Sequence, residues 1–118
     1  MTLGSLEELD RYLEKFCRER TLKKERCYRL RLLLEELATN AFKYSDAKRF
    51  TVRIEGNDPM VIRFEYTGEA FDFRIEAPHP GPPEVMKEGG LGLFLVREMS
   101  RYMRYRHQDG KNVYELTL

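Results

Sequence analysis

The chain has 118 residues, carries 21 Lys and Arg against 20 Asp and Glu for a formal charge of +1, and is 42% hydrophobic and 35% charged. That length suits one domain with a buried core, and that balance excludes global disorder and the strongly basic footprint of a nucleic-acid binder. No apolar run reaches the roughly 20 residues that cross a bilayer, and no basic segment or apolar stretch follows Met1-Thr2-Leu3-Gly4-Ser5, so no membrane association is expected and the expected location is the cytoplasm.

Ser5-Leu6-Glu7-Glu8 has the pattern of a capping box, and Leu6, Leu9, Leu13 and Phe16 then recur at helical spacing to about Arg20. Thr21 is the expected cap of a second helix, whose stripe of Leu30, Leu33, Leu34, Leu37 and Ala41 must face a core and which ends near Tyr44. Cys17 and Cys27 lie ten residues apart, with no CxxC spacing and no histidine nearby, so reduced structural thiols are expected.

The period then changes to alternation. Phe50, Val52 and Ile54 alternate with Thr51, Arg53 and Glu55; the turn Gly56-Asn57-Asp58-Pro59 follows; Ile62, Phe64 and Tyr66 share one face of a second strand. Residues 73–90 hold four of the five prolines and read as a lid-like loop. Leu93, Leu95, Val96 and Met99 suggest a third helix to about Ser100, and Tyr102 to His107 with Asn112 to Leu118 form a hairpin around Asp109-Gly110. His79 and His107 have no metal-site context and read as loop or surface residues. Helices on one face of a mixed or antiparallel sheet make an α+β two-layer sandwich, with residues 1–118 as its single domain.

Two stretches carry chemistry. Glu36 and Asn40 are four apart on the second helix, hence on one face, with about 5–6 Å between Cβ atoms. A carboxylate and a carboxamide oxygen there suit a hard cation such as Mg²⁺, and the carboxylate is also a candidate general base; the plain alternative is a solvated helix face. Gly89-Gly90-Leu91-Gly92 opens the third helix, where glycines permit close backbone approach and free N–H groups bind anions. No Gly-Lys-Ser/Thr follows, so this is not a Walker loop.

In this order the motifs resemble the GHKL (histidine kinase-like) ATPase family. Glu36-xxx-Asn40 is similar to its N-box, Gly68-Glu69-Ala70-Phe71-Asp72 to the first G-box, and Gly89-Gly90-Leu91-Gly92-Leu93-Phe94-Leu95-Val96 to the second. The resemblance runs from about Leu6 to Leu118 and is strongest to the anti-sigma factor serine/threonine kinases of bacterial partner-switching systems. It implies the Bergerat fold, helices on one face of a mixed sheet, with ATP and Mg²⁺ as cofactors. The implied partners are a sigma factor or a STAS-type anti-sigma antagonist, with a homodimer as a further implied arrangement. By position, Asn40 would coordinate Mg²⁺, Glu36 would orient or deprotonate the attacking serine hydroxyl, and Lys43 would approach a phosphate. Gly90, Leu91, Gly92 and Leu93 would line the phosphates, while Gly68 and Tyr66 would stand at the adenine.

Two positions depart from the pattern. The first G-box carries an aspartate two residues before its glycine, a carboxylate that reads the adenine amino group; here Tyr66 stands there, and Glu65 points to the opposite face. A site without that hydrogen bond loses discrimination. Two readings therefore stay open, an ATP-dependent serine kinase and a non-catalytic binding module of the same fold. Family members also often begin with a β-strand that contributes to dimerisation, whereas this chain is expected to start almost directly in its first helix. Arg97, Arg101, Arg104 and Arg106 interleave with Tyr102 and Tyr105, but without a reader motif nucleic acid is not an expected partner.

Overall fold

The computed structural model describes residues 1–72 and 102–118. The expected lid at 73–90, the glycine loop with Gly90, Leu91, Gly92 and Leu93, the third helix and His79 lie outside the described residues. The elements are β1 (Thr2–Leu3), α1 (Leu6–Glu19), α2 (Lys24–Tyr44), β2 (Phe50–Glu55), β3 (Val61–Thr67), β4 (Tyr102–Gln108) and β5 (Lys111–Thr117). The five strands form one sheet in the order β1-β2-β3-β5-β4.

Every pairing among the described strands is antiparallel, which selects that alternative over the mixed sheet. Alternation settles which residues face the helices. Phe50, Val52 and Ile54 of β2, Ile62, Phe64 and Tyr66 of β3, and Tyr114 and Leu116 of β5 are buried together with Leu9 and Leu13 of α1 and Leu30, Leu33, Leu34, Leu37 and Ala41 of α2. On the other face Arg63 of β3 lies 3.9 Å from both Glu65 and Glu115. Arg104 and Arg106 share that outer face with Glu115 and Val113, while Tyr105 turns inward against Tyr114, so the Arg–Tyr interleaving is the ordinary two-residue period of a strand.

The short strand β1 corrects the expectation of a chain that starts directly in the helix. Thr2 and Leu3 pair with Thr51 and Phe50, and the buried side chain of Leu3 joins the core. Two residues are too few to show alternation, which is why periodicity missed them. At the start of α1, Ser5 Oγ accepts from the Glu8 amide at 3.1 Å, and the Glu8 carboxylate accepts from the Gly4 amide at 3.0 Å.

Thr21 does not cap α2; it closes α1. Its amide donates to Arg18 O at 3.2 Å, and the Leu22 amide donates to Cys17 O at 3.0 Å. This is a Schellman closure, and Thr21 occupies its left-handed position at φ 51°, where glycine is usual. α2 begins instead at Lys24, behind Lys23, which makes no side-chain cap bond. The expectation of reduced thiols is corrected here too: Cys17 and Cys27 form a disulfide, with Cα atoms 5.9 Å apart. Helical spacing within each element says nothing of the turn that brings two helix ends together.

Both hairpin turns need their glycines. Gly56 has φ 78°, and a Cβ there would meet Pro59 O at 2.7 Å. Asp109 and Gly110, at φ 55° and 75°, make the expected two-residue turn between β4 and β5. No helix among the described residues is long and apolar enough to cross a membrane.

Candidate active site

The leucine stripe of α2 sets the rotation of the helix. With Leu33, Leu34, Leu37 and Ala41 turned to the sheet, Glu36 and Asn40 fall at the boundary between core and solvent. Asn40 is 8% exposed, and its Nδ2 donates to the backbone oxygen of Glu36 at 2.8 Å. That bond fixes the carboxamide nitrogen toward the preceding turn and leaves Oδ1 on the diverging branch, available as an oxygen donor.

Glu36 lies at the same boundary, half-buried. Its Oε2 is out of contact with solvent and has no hydrogen-bond partner among the described residues. An unsatisfied buried acceptor typically costs about 1–3 kcal/mol. Burial, then the charge of neighbouring Glu35, push the Glu36 carboxyl above its ordinary range, and Lys43 acts in the opposite direction. Glu35 is raised as well, by burial first and by Asp10 second, with Arg31 opposing. A carboxyl so placed is a better proton acceptor than a solvated one.

One turn beyond Asn40, a cleft of about 900 Å³ opens between the C-terminal end of α2 and the segment that follows β3. Lys43, Tyr44, Lys48 and Arg49 line one side; Gly68 and Phe71 line the other. Tyr44 and Phe71 stack across it at 5.3 Å between ring centroids and 13° between planes. Lys43 Nζ lies 5.4 Å from the centroid of the Tyr44 ring. A Cβ at Gly68 would meet only ordinary contacts, at 3.7–3.8 Å, so the protein's own packing does not demand glycine there.

The wall formed by the segment after β3 is held by a polar network that sequence reasoning missed. Asn112 of β5 is fully buried; its Oδ1 accepts from the Phe71 amide at 2.8 Å and from the Tyr105 hydroxyl at 2.6 Å, and its Nδ2 donates to Glu69 O at 2.9 Å. The Tyr114 hydroxyl donates to Phe71 O, and His107 Nε2 lies 2.8 Å from Gly68 O. His107 is therefore an exposed strand residue in contact with the site. A lone Asn in an alternating strand gives one signal in sequence, a polar residue at an inward position. Asp72, buried at 8% exposure, closes the described part of this segment.

Tyr66 is part of the core. It is 4% exposed, stacks on Tyr114 at 6.3 Å and 22°, and meets Phe64 edge-on at 6.1 Å. Glu65 faces the other side of the sheet beside Arg63, so it does not replace the missing carboxylate. Thus Glu36, Asn40 and Lys43 share α2, Lys43 and Gly68 share the cleft, and Tyr66 lies beneath; Gly90, Leu91, Gly92 and Leu93 lie outside the described residues. Among the described residues no group of three or more His, Cys, Asp or Glu is placed to hold a metal ion.

The histidine kinase-like ATPase domain family matches residues 1–118. The chain belongs to that family. Among curated proteins, the serine-protein kinase RsbW of Listeria monocytogenes is similar to it, with 30% identity over 95 residues in both the serotype 4a strain HCC23 and the serotype 4b strain F2365. The match covers 71% of this chain and 60% of those kinases, so the chain spans about 60% of the length of its curated relatives. No solved structure matches. The order β1-α1-α2-β2-β3 thus lies within a histidine kinase-like ATPase domain.

Proposed function

We propose that this protein is an ATP-dependent protein-serine kinase of the anti-sigma type, acting in the cytoplasm on a STAS-type antagonist and binding a sigma factor in turn. The observation that carries this reading is Glu36: a half-buried carboxyl with a raised proton affinity and an oxygen without a hydrogen-bond partner among the described residues, one turn from the Asn40 carboxamide. A helix face kept only for solubility would leave both groups in water.

The cation end of the pocket fits Mg²⁺, since Asn40 Oδ1 is a hard oxygen donor of the kind Mg²⁺ takes. Bound Mg²⁺–ATP would supply the transferable phosphoryl group and neutralise its charge. Glu36 would hold the attacking serine hydroxyl and accept its proton, Lys43 would offset phosphate charge from the rim, and the glycine loop at Gly90 to Leu93 would present its amides. The adenine end fits less well, because Tyr66 brings a ring to the carboxylate's position. Base recognition would then rest on aromatic and shape contacts, with weaker discrimination among nucleotides.

The burial of Tyr66 favours a second reading, a protein-binding module that keeps the fold without the chemistry. Titration with labelled ATP in the presence of Mg²⁺ separates the two. The kinase reading expects saturable binding, with Glu36→Gln retaining it while losing phosphoryl transfer to the antagonist's serine. An absence of binding at millimolar nucleotide would overturn it in favour of the module.

A further inference from the structure

The Cys17–Cys27 bond joins the last turn of α1 to the first turn of α2. Thr21, a β-branched residue, holds a left-handed conformation in the connecting turn. The α2 N-terminus lacks a side-chain cap, so its first amides lose a stabilising acceptor. The polar ties from this region include Arg20 to Asn57 Oδ1 at 3.0 Å, Arg26 to Asn57 O at 2.6 Å and Arg26 to Leu118 O at 3.2 Å. Phe16 and Leu22 pack against the core on either side of Thr21.

Cys17 is 8% exposed and Cys27 half-buried, and both border a cleft of about 660 Å³ between α1 and α2, together with Arg18, Lys24 and Arg31 and the carboxylates of Glu14 and Glu35. The cleft is wide enough for a small thiol to approach the bond.

We propose that Cys17–Cys27 is a reversible thiol–disulfide exchange site that takes low-molecular-weight thiols and disulfides of the glutathione class and fastens or frees the α1–α2 junction. In the reducing direction the thiolate of one thiol attacks a protein sulfur, a mixed disulfide forms, and the other cysteine leaves as a thiolate. A second thiol then attacks the mixed disulfide and releases the first cysteine. Two electrons and two protons pass to the protein, and the two small thiols become one disulfide. Oxidation is the same sequence reversed. Freed of the bond, residues 18–28 open locally while the leucine-packed part of α2 carrying Glu36 and Asn40 stays in place.

The test uses the full chain equilibrated in native buffer with reduced and then oxidised glutathione. Free thiols are counted by alkylation and mass spectrometry, and backbone opening is followed by amide hydrogen exchange. The expected result is complete reduction without denaturant, complete return on oxidation, and exchange that rises about tenfold or more in residues 18–28 but not beyond Leu30. The Cys17→Ser/Cys27→Ser chain should show the reduced pattern in both buffers. Reduction only after unfolding, failure to reform the bond, or exchange unchanged in residues 18–28 would overturn the proposal. So would a rise in exchange spread evenly over the molecule.

Discussion

The two halves of α2 solve opposite problems. The first turn has little core to lean on, and it is fastened by a covalent bond, a Schellman closure in front of it and two arginines reaching Asn57. The half from Glu36 to Tyr44 has abundant core beneath it, with Leu37 and Ala41 buried, and leaves Glu36 Oε2 without a hydrogen-bond partner among the described residues. Stability is supplied locally where the chain turns. It is left incomplete where a ligand is expected, as in sites whose charged or strained groups are supported by the surrounding structure.

The largest effect should come from breaking the rim. Glu36→Gln should lower phosphoryl transfer by about 10²–10⁴-fold, the range expected for a lost general base, measured as initial rate on the antagonist protein. The same substitution should raise stability at neutral pH. The folded protein holds the Glu36 proton more tightly than the unfolded chain, so Glu36's contribution to stability falls as pH rises from the ordinary carboxylate range through its raised value. Denaturant melts of both proteins across that window should converge at acid pH and separate above it. Transfer, which needs the unprotonated base, should rise over the same window.

Next in size is the wall facing the rim. Asn112→Leu removes the donor to the Glu69 carbonyl and leaves the Phe71 amide with the Tyr105 hydroxyl as its acceptor, and should cost about 2–4 kcal/mol in a denaturant melt. Nucleotide affinity should fall with it if the segment after β3 shapes the pocket. At the junction, Cys17→Ala/Cys27→Ala should cost about 2–3 kcal/mol against the oxidised protein, since the bond closes a short loop. The smallest change is Thr21→Gly, which relieves the left-handed threonine and should add about 0.5–1 kcal/mol in the same melt. A loss of stability there would show that the threonine side chain contributes more than its backbone conformation costs.

The contrast also explains what was legible in the sequence. The stripe of α2, the alternation of β2 and β3 and the Asp109-Gly110 turn are periodic or local signals, and each appears where the pattern placed it. The shared face of Glu36 and Asn40 was legible for the same reason, since four residues on a helix make one turn. The disulfide, the strand Thr2–Leu3 and the role of Thr21 depend on how separate segments meet, and no period within a segment encodes that. Asn112 shows the limit most clearly: its burial follows from alternation, but its three partners come from β4 and from the segment after β3.

Tyr66 has one more consequence. The chain contains no tryptophan, so its intrinsic fluorescence comes from tyrosine. Phe50, Phe64, Tyr66, Tyr114 and Tyr105 form a continuous run of ring contacts across the sheet, with neighbouring centroids 5.0–6.3 Å apart, and the last two hydroxyls meet Phe71 at the cleft. Fixed aromatic packing of this kind gives a near-ultraviolet circular dichroism signal that disappears when side chains lose their order. Tyr66 and its neighbours thus give a built-in optical report of the packing next to the cleft, and loss of that order can be followed without attaching a dye.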